Sequence, residues 1–216
     1  MVSVLEPPKP RLRGRIHQVA FFVALPASVV LIALAAGTTA RTVATIYAVS
    51  LVAVFGSSAA YHRGTWTERG RRWMKRLDHS MIFVLIAGTY TPVAVFALEG
   101  AWEAVLLSTV WAGAALGVAL KIARPDGLRI VTATLYMALG WLAIVALPQM
   151  LRAMSVAEVV LMLTGGLIYT AGAIVFATRR PDPRPDVFGY HEVWHVFMVV
   201  AAACHFVLVA LVVVAP

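Results

Sequence analysis

The chain has 216 residues, 61% of them hydrophobic and only 13% charged, with a formal net charge of +8. Those proportions exclude an ordinary soluble domain, in which about a quarter of the residues carry charge. The positive balance sits in short clusters beside long apolar stretches, which points to a membrane topology signal and away from a nucleic-acid partner.

In chain order, residues 1–15 combine Pro7, Pro8 and Pro10 with Lys9, Arg11, Arg13 and Arg15. They predict an unstructured basic arm ahead of a single transmembrane domain, residues 16–216. A first span is expected at about 16–37. Small residues Ala36 to Ala40 end it as a signal-peptide cleavage site would, but the apolar run is longer than a usual signal core. The second span, about 42–62, finishes in Gly56-Ser57-Ser58-Ala59-Ala60-Tyr61-His62. A basic loop, Arg63 to Arg76, leads to the third, about 78–98, which opens on Leu77-Asp78-His79-Ser80. Pro92 should bend this helix, with Thr89, Tyr90 and Thr91 at hand for the freed carbonyls. Further spans are predicted at about 102–120, 128–148, 156–178 and 191–215. Gly165-Gly166 and Gly172 suggest a close-packing face rather than a site. The single cysteine, Cys204, lies in an apolar segment and reads as a small packing residue.

The fold class is therefore all-α: a polytopic membrane protein with seven transmembrane helices. If the amino terminus is cytoplasmic, sixteen of the eighteen Lys and Arg residues fall in inner segments, and only Arg41 and Arg152 fall outside. A different number of spans between the basic clusters would break this alternation. The carboxyl terminus is then outside, and the outer loops are too short to grip a protein ligand.

The alternation also brings unusual residues to one depth. His62 ends the second span, Asp78 begins the third, and His191 and His195 begin the seventh. Residues four apart on a helix differ by about 40° and about 6 Å, so His191 and His195 share a face. The pair alone suits a metal site or a packing pair equally. With His62, three neutral imidazoles would form a tetrahedral zinc site whose fourth position admits water. Asp78 could then accept a proton from a zinc-activated water, or could simply cap its helix. Ser58, four residues before His62, shares its face; its hydroxyl faces the site or bonds back to its own helix, and Ser57 is turned about 100° away. The remaining histidines fit plainer roles. His205 lies about 15 Å beyond His195 and reads as a buried hydrogen-bonding residue. His17 and His79 read as interfacial, with His79 turned from the Asp78 face. Glu192, on another face from the histidine pair, suits an external salt link to the basic loops.

The blocks SSAAYH, LDHSMIFVLIAGTYTP and YHEVWHVF followed by CH resemble the signatures of the haemolysin III family. That family sits within the superfamily of progestin and adiponectin receptors, which is grouped with alkaline ceramidases. The resemblance covers all seven spans. It implies zinc held by His62, His191 and His195, with Asp78 and Ser58 around the metal-bound water. The short arm, and His79 directly after Asp78, depart from the hormone receptors and imply a bacterial inner-membrane protein. The leading functional expectation is a metal-dependent hydrolase of a lipid amide or ester, with a membrane lipid as partner and the site near the cytoplasmic leaflet. A membrane-state sensor with structural zinc and a membrane-permeabilising cytolysin are the rival expectations.

Overall fold

In a computed structural model the described residues, 9–214, form helices and connecting turns, with one isolated antiparallel bridge between Arg184 and Phe188. The helices are α1 Arg15–Leu34, α2 Gly37–Arg63, α3 Glu68–Ala97, α4 Ala101–Ala123, α5 Arg129–Gly140, α6 Ala143–Ala153, α7 Val156–Thr178 and α8 Tyr190–Val214. Taken together, α5 and α6 make one span, so seven segments are long and apolar enough to cross a bilayer. The seven-span, all-α expectation holds.

Helices α2 and α3 are the most enclosed, more than half of each apolar window being buried. Their inner faces are lined by Tyr47, Val54, Phe83 and Ala94, all nearly inaccessible. Elsewhere apolar side chains such as Phe22, Val105 and Ile130 point outward, as lipid-facing positions require. The glycine face behaves as expected. A Cβ on Gly172 would lie 2.7 Å from Phe197 Cβ, and one on Gly165 would lie 2.3 Å from His205 Nε2, so both positions let α7 approach α8 closely.

Two local expectations are corrected. First, α3 begins at Glu68, ten residues earlier than its apolar stretch. Thr67 caps it by accepting a hydrogen bond from Gly70 N at 3.2 Å, so most of the basic loop is helix. Asp78 is consequently three turns inside and caps nothing. Second, the fifth span is interrupted at Trp141-Leu142. Tyr90 closes that break: its hydroxyl donates to Gly140 O at 3.1 Å and accepts from Ala143 N at 2.8 Å. Helix α3 runs on through Pro92. The hydroxyls of Thr89 and Thr91 bond to Leu85 O and Ala87 O within their own helix.

The basic arm is not free along its described part. Arg11 N donates to Asp186 O and Leu12 N to Val187 O, tying the arm to the α7–α8 loop. Residues 1–8, the rest of the predicted arm, lie outside the described residues.

Candidate metal centre

The last turn of α2 and the first turn of α8 meet under the arm. Local capping fixes both ends. Lys9 Nζ donates to His62 O at 2.7 Å, satisfying one of the free carbonyls at the end of α2. At α8, Asp182 Oδ1 accepts from Tyr190 N at 2.8 Å and Glu192 Oε2 accepts from Gly189 N at 2.9 Å, covering two amides at the helix start. Gly14, at φ +79°, lets the arm cross directly over α2: a Cβ there would sit 2.5 Å from His62 Cβ.

This geometry gathers the three predicted imidazoles. One ring nitrogen from each of His62, His191 and His195 lies within 4.8 Å of the others. His62 Nε2 and His191 Nε2 are 3.3 Å apart. Two nitrogens bound to one tetrahedral zinc at about 2.0–2.1 Å would be separated by about 3.4 Å, so this spacing matches a shared ion. His62 and His195 are buried and His191 half-buried. His195 Nδ1 is enclosed and has no hydrogen-bond partner among the described residues. One ring nitrogen from each of three gathered imidazoles, two of them at the spacing a shared ion would impose, is a donor set that fits zinc.

Asp78 is buried, with Oδ2 at 3.9 Å from His62 Nε2. That is too long for a direct hydrogen bond and close enough for both groups to act on one small molecule. Ser58 faces the site and Ser57 does not. Ser58 Oγ lies 2.8 Å from His17 Nδ1, whereas Ser57 Oγ bonds back to Val54 O at 3.3 Å.

Sequence reasoning misplaced three neighbours. His17 is not interfacial but 2% exposed. Its ring stacks on His195 at a centroid distance of 3.8 Å and an interplanar angle of 9°. The alternation of spans already put His17 at this end of the bundle; a lone histidine simply had no spacing partner to reveal it. Glu192 is not an external link but completely buried, its Oε1 accepting from Arg13 Nε at 2.5 Å. The same ion pair pins the arm over the histidines. His79 is half-buried and keeps its Nε2 at 4.0 Å from Asp78 Oδ2, so it borders the site. His205, as expected, lies apart and bonds to Met162 O at 3.2 Å.

The family described as haemolysin-III related matches residues 5–206. A "Hemolysin-3 homolog" of Bacillus subtilis is 32% identical over 193 residues, covering 88% of this chain and 87% of that protein. "Hemolysin-3" of Bacillus cereus is 31% identical over 193 residues, with 88% and 85% covered. The human "Monocyte to macrophage differentiation factor" is 25% identical over 165 residues, 74% of this chain and 66% of that one. A match along nearly the whole length, on a seven-span bundle with its histidines gathered at one end, gives the conclusion: this chain belongs to the haemolysin III family.

Proposed function

We propose that the chain is a zinc-dependent hydrolase of a lipid amide or ester, ceramidase-like in chemistry, embedded in the bacterial inner membrane. The observation that carries this reading is three imidazoles from α2 and α8 clustered beside a buried carboxylate on α3. A bound zinc ion would polarise a carbonyl and acidify water. His62, His191 and His195 would hold it through neutral ring nitrogens. Asp78 would take the proton from the attacking water on its carboxylate and return it to the departing amine or alcohol. Ser58, oriented by His17, would offer its hydroxyl to the substrate carbonyl. The Arg13–Glu192 pair would hold the arm across the mouth and limit bulk water there. Charge bias argues that this end faces the cytoplasm.

A structural zinc that staples α2 to α8 in a sensor is the second reading, favoured by the fact that the ligands come from just those two helices. The relatives' name, hemolysin-3, suggests permeabilisation. The strongly polar buried groups instead gather at one end, with no charged lining running through several spans among the described residues.

The test is release of fatty acid from a panel of N-acyl and O-acyl lipids by the purified, zinc-loaded chain. Asp78→Asn should keep its zinc and lose about 10²–10⁴-fold in rate. Zinc retained with no turnover by the parent, or an Asp78→Asn variant as active as the parent, would overturn the hydrolase reading.

A further inference from the structure

An imidazole that binds a metal must keep one nitrogen aimed at the ion, and a hydrogen bond from its other nitrogen ordinarily fixes the plane of the ring. His195 Nδ1 has no such partner among the described residues. A ring face takes its place. His17, in the first turn of α1, lies parallel to the His195 ring at a centroid distance of 3.8 Å and an interplanar angle of 9°. That spacing is already van der Waals contact, so turning the His195 ring about its Cβ–Cγ bond would drive its edge into the His17 face.

His17 is held in its turn. Its Nδ1 lies 2.8 Å from Ser58 Oγ, and Phe55 packs against it at a centroid distance of 5.2 Å and an interplanar angle of 57°. Its Nε2 is enclosed without a hydrogen-bond partner among the described residues, so Ser58 and the two ring contacts set its position. His17 is not itself one of the three gathered ligands. We propose that His17 is a positioning residue with two tasks. Its face sets the plane of His195, and with it the affinity of the centre for zinc; its Nδ1 holds the Ser58 hydroxyl at the site. The first task rests on the metal centre alone, the second on the hydrolase reading.

Two substitutions separate the tasks. His17→Phe keeps a ring face and loses the nitrogen, whereas His17→Asn loses the ring and keeps an amide that can bond to Ser58. The full chain, purified in detergent, is titrated with zinc against a chromophoric chelator. Its cobalt(II)-substituted form is followed by visible absorption, which reports ligand geometry. His17→Asn should weaken zinc binding about 10–100-fold and change the shape of the cobalt spectrum, which marks altered geometry rather than loss of folded chain. His17→Phe should stay near the parent in both. Release of fatty acid from the N-acyl and O-acyl lipid panel at saturating zinc reads the second task. There His17→Phe should lower kcat by up to about 10²-fold with KM little changed, and His17→Asn should recover most of that loss. In a Ser58→Ala background His17→Phe should lower it no further.

Zinc affinity and a cobalt spectrum unchanged in His17→Asn would overturn the first task, as would zinc binding weakened as much in His17→Phe as in His17→Asn. Parent-like turnover by His17→Phe would overturn the second. A parent that binds zinc and releases no fatty acid would overturn the hydrolase reading together with the second task, and the affinities would still decide the first. A parent that binds neither ion would overturn the metal centre and both tasks with it.

Discussion

Helix α8 carries histidine at two places and treats it differently at each. His205 sits among apolar neighbours, where Gly165 leaves room for its ring and Met162 O accepts its hydrogen bond. Three turns earlier, His191 and His195 face His62. Among the described residues no carbonyl or carboxylate forms a hydrogen bond with these three rings, and His195 Nδ1 is enclosed without any partner. The protein completes the lone histidine and leaves the cluster incomplete. Since a buried polar group without a partner costs about 1–3 kcal/mol, an arrangement that leaves ring nitrogens pointing at one another is best explained by a ligand they share.

Substitutions can break either side of this contrast. The largest effect is expected at the cluster. Arg13→Ala removes the partner of the fully buried Glu192, and loss of one member of such a pair costs about 3–5 kcal/mol. Arg13 is itself partly exposed, which places the effect toward the lower end. Thermal unfolding in detergent should show the loss, and Arg13→Ala combined with Glu192→Gln should recover part of it. At the other site Gly165→Ala forces a methyl group against the His205 ring and should cost about 1–3 kcal/mol. Zinc retention should not change. Loss of the metal in the Gly165→Ala variant would mean that the two sites are not separate.

The smallest effect lies outside both sites and serves as a control. The hydrogen bond from Lys75 holds Asp126 below the usual carboxylate range. Its folded value is therefore below its unfolded one. The stabilisation is present above the ordinary carboxylate pKa of about 3.9 and is lost as the pH falls through the lower folded value. The pair is largely solvent-exposed, so at most about 1 kcal/mol is at stake. A Lys75→Gln variant should lose that acid-side dependence, with the histidine sites undisturbed.

The spans and the histidine triad were legible because both are written in spacing. Apolar runs long enough to cross a bilayer separate the basic clusters, and His191 and His195 are one turn apart. What stayed hidden depends on neighbours distant in sequence. The break in the fifth span cannot be read from its apolar residues, because it is stabilised by the hydroxyl of Tyr90, on another helix. The early start of α3 was concealed by Arg69 to Arg76, which interrupt hydropathy without interrupting a helix. Glu192 looked external because it leaves the histidine face; that direction leads to Arg13, which only the folded arm brings there. His17 was missed for the same reason: α1 must pack beside α8 before the ring can stack on His195.

The most direct test is the metal content of the purified chain after exposure to zinc and removal of the excess, measured for the parent, His62→Ala and His205→Ala. About one zinc per chain is predicted for the parent and for His205→Ala, and close to none for His62→Ala. A parent that holds no zinc, or a His62→Ala variant that holds as much as the parent, would contradict the account.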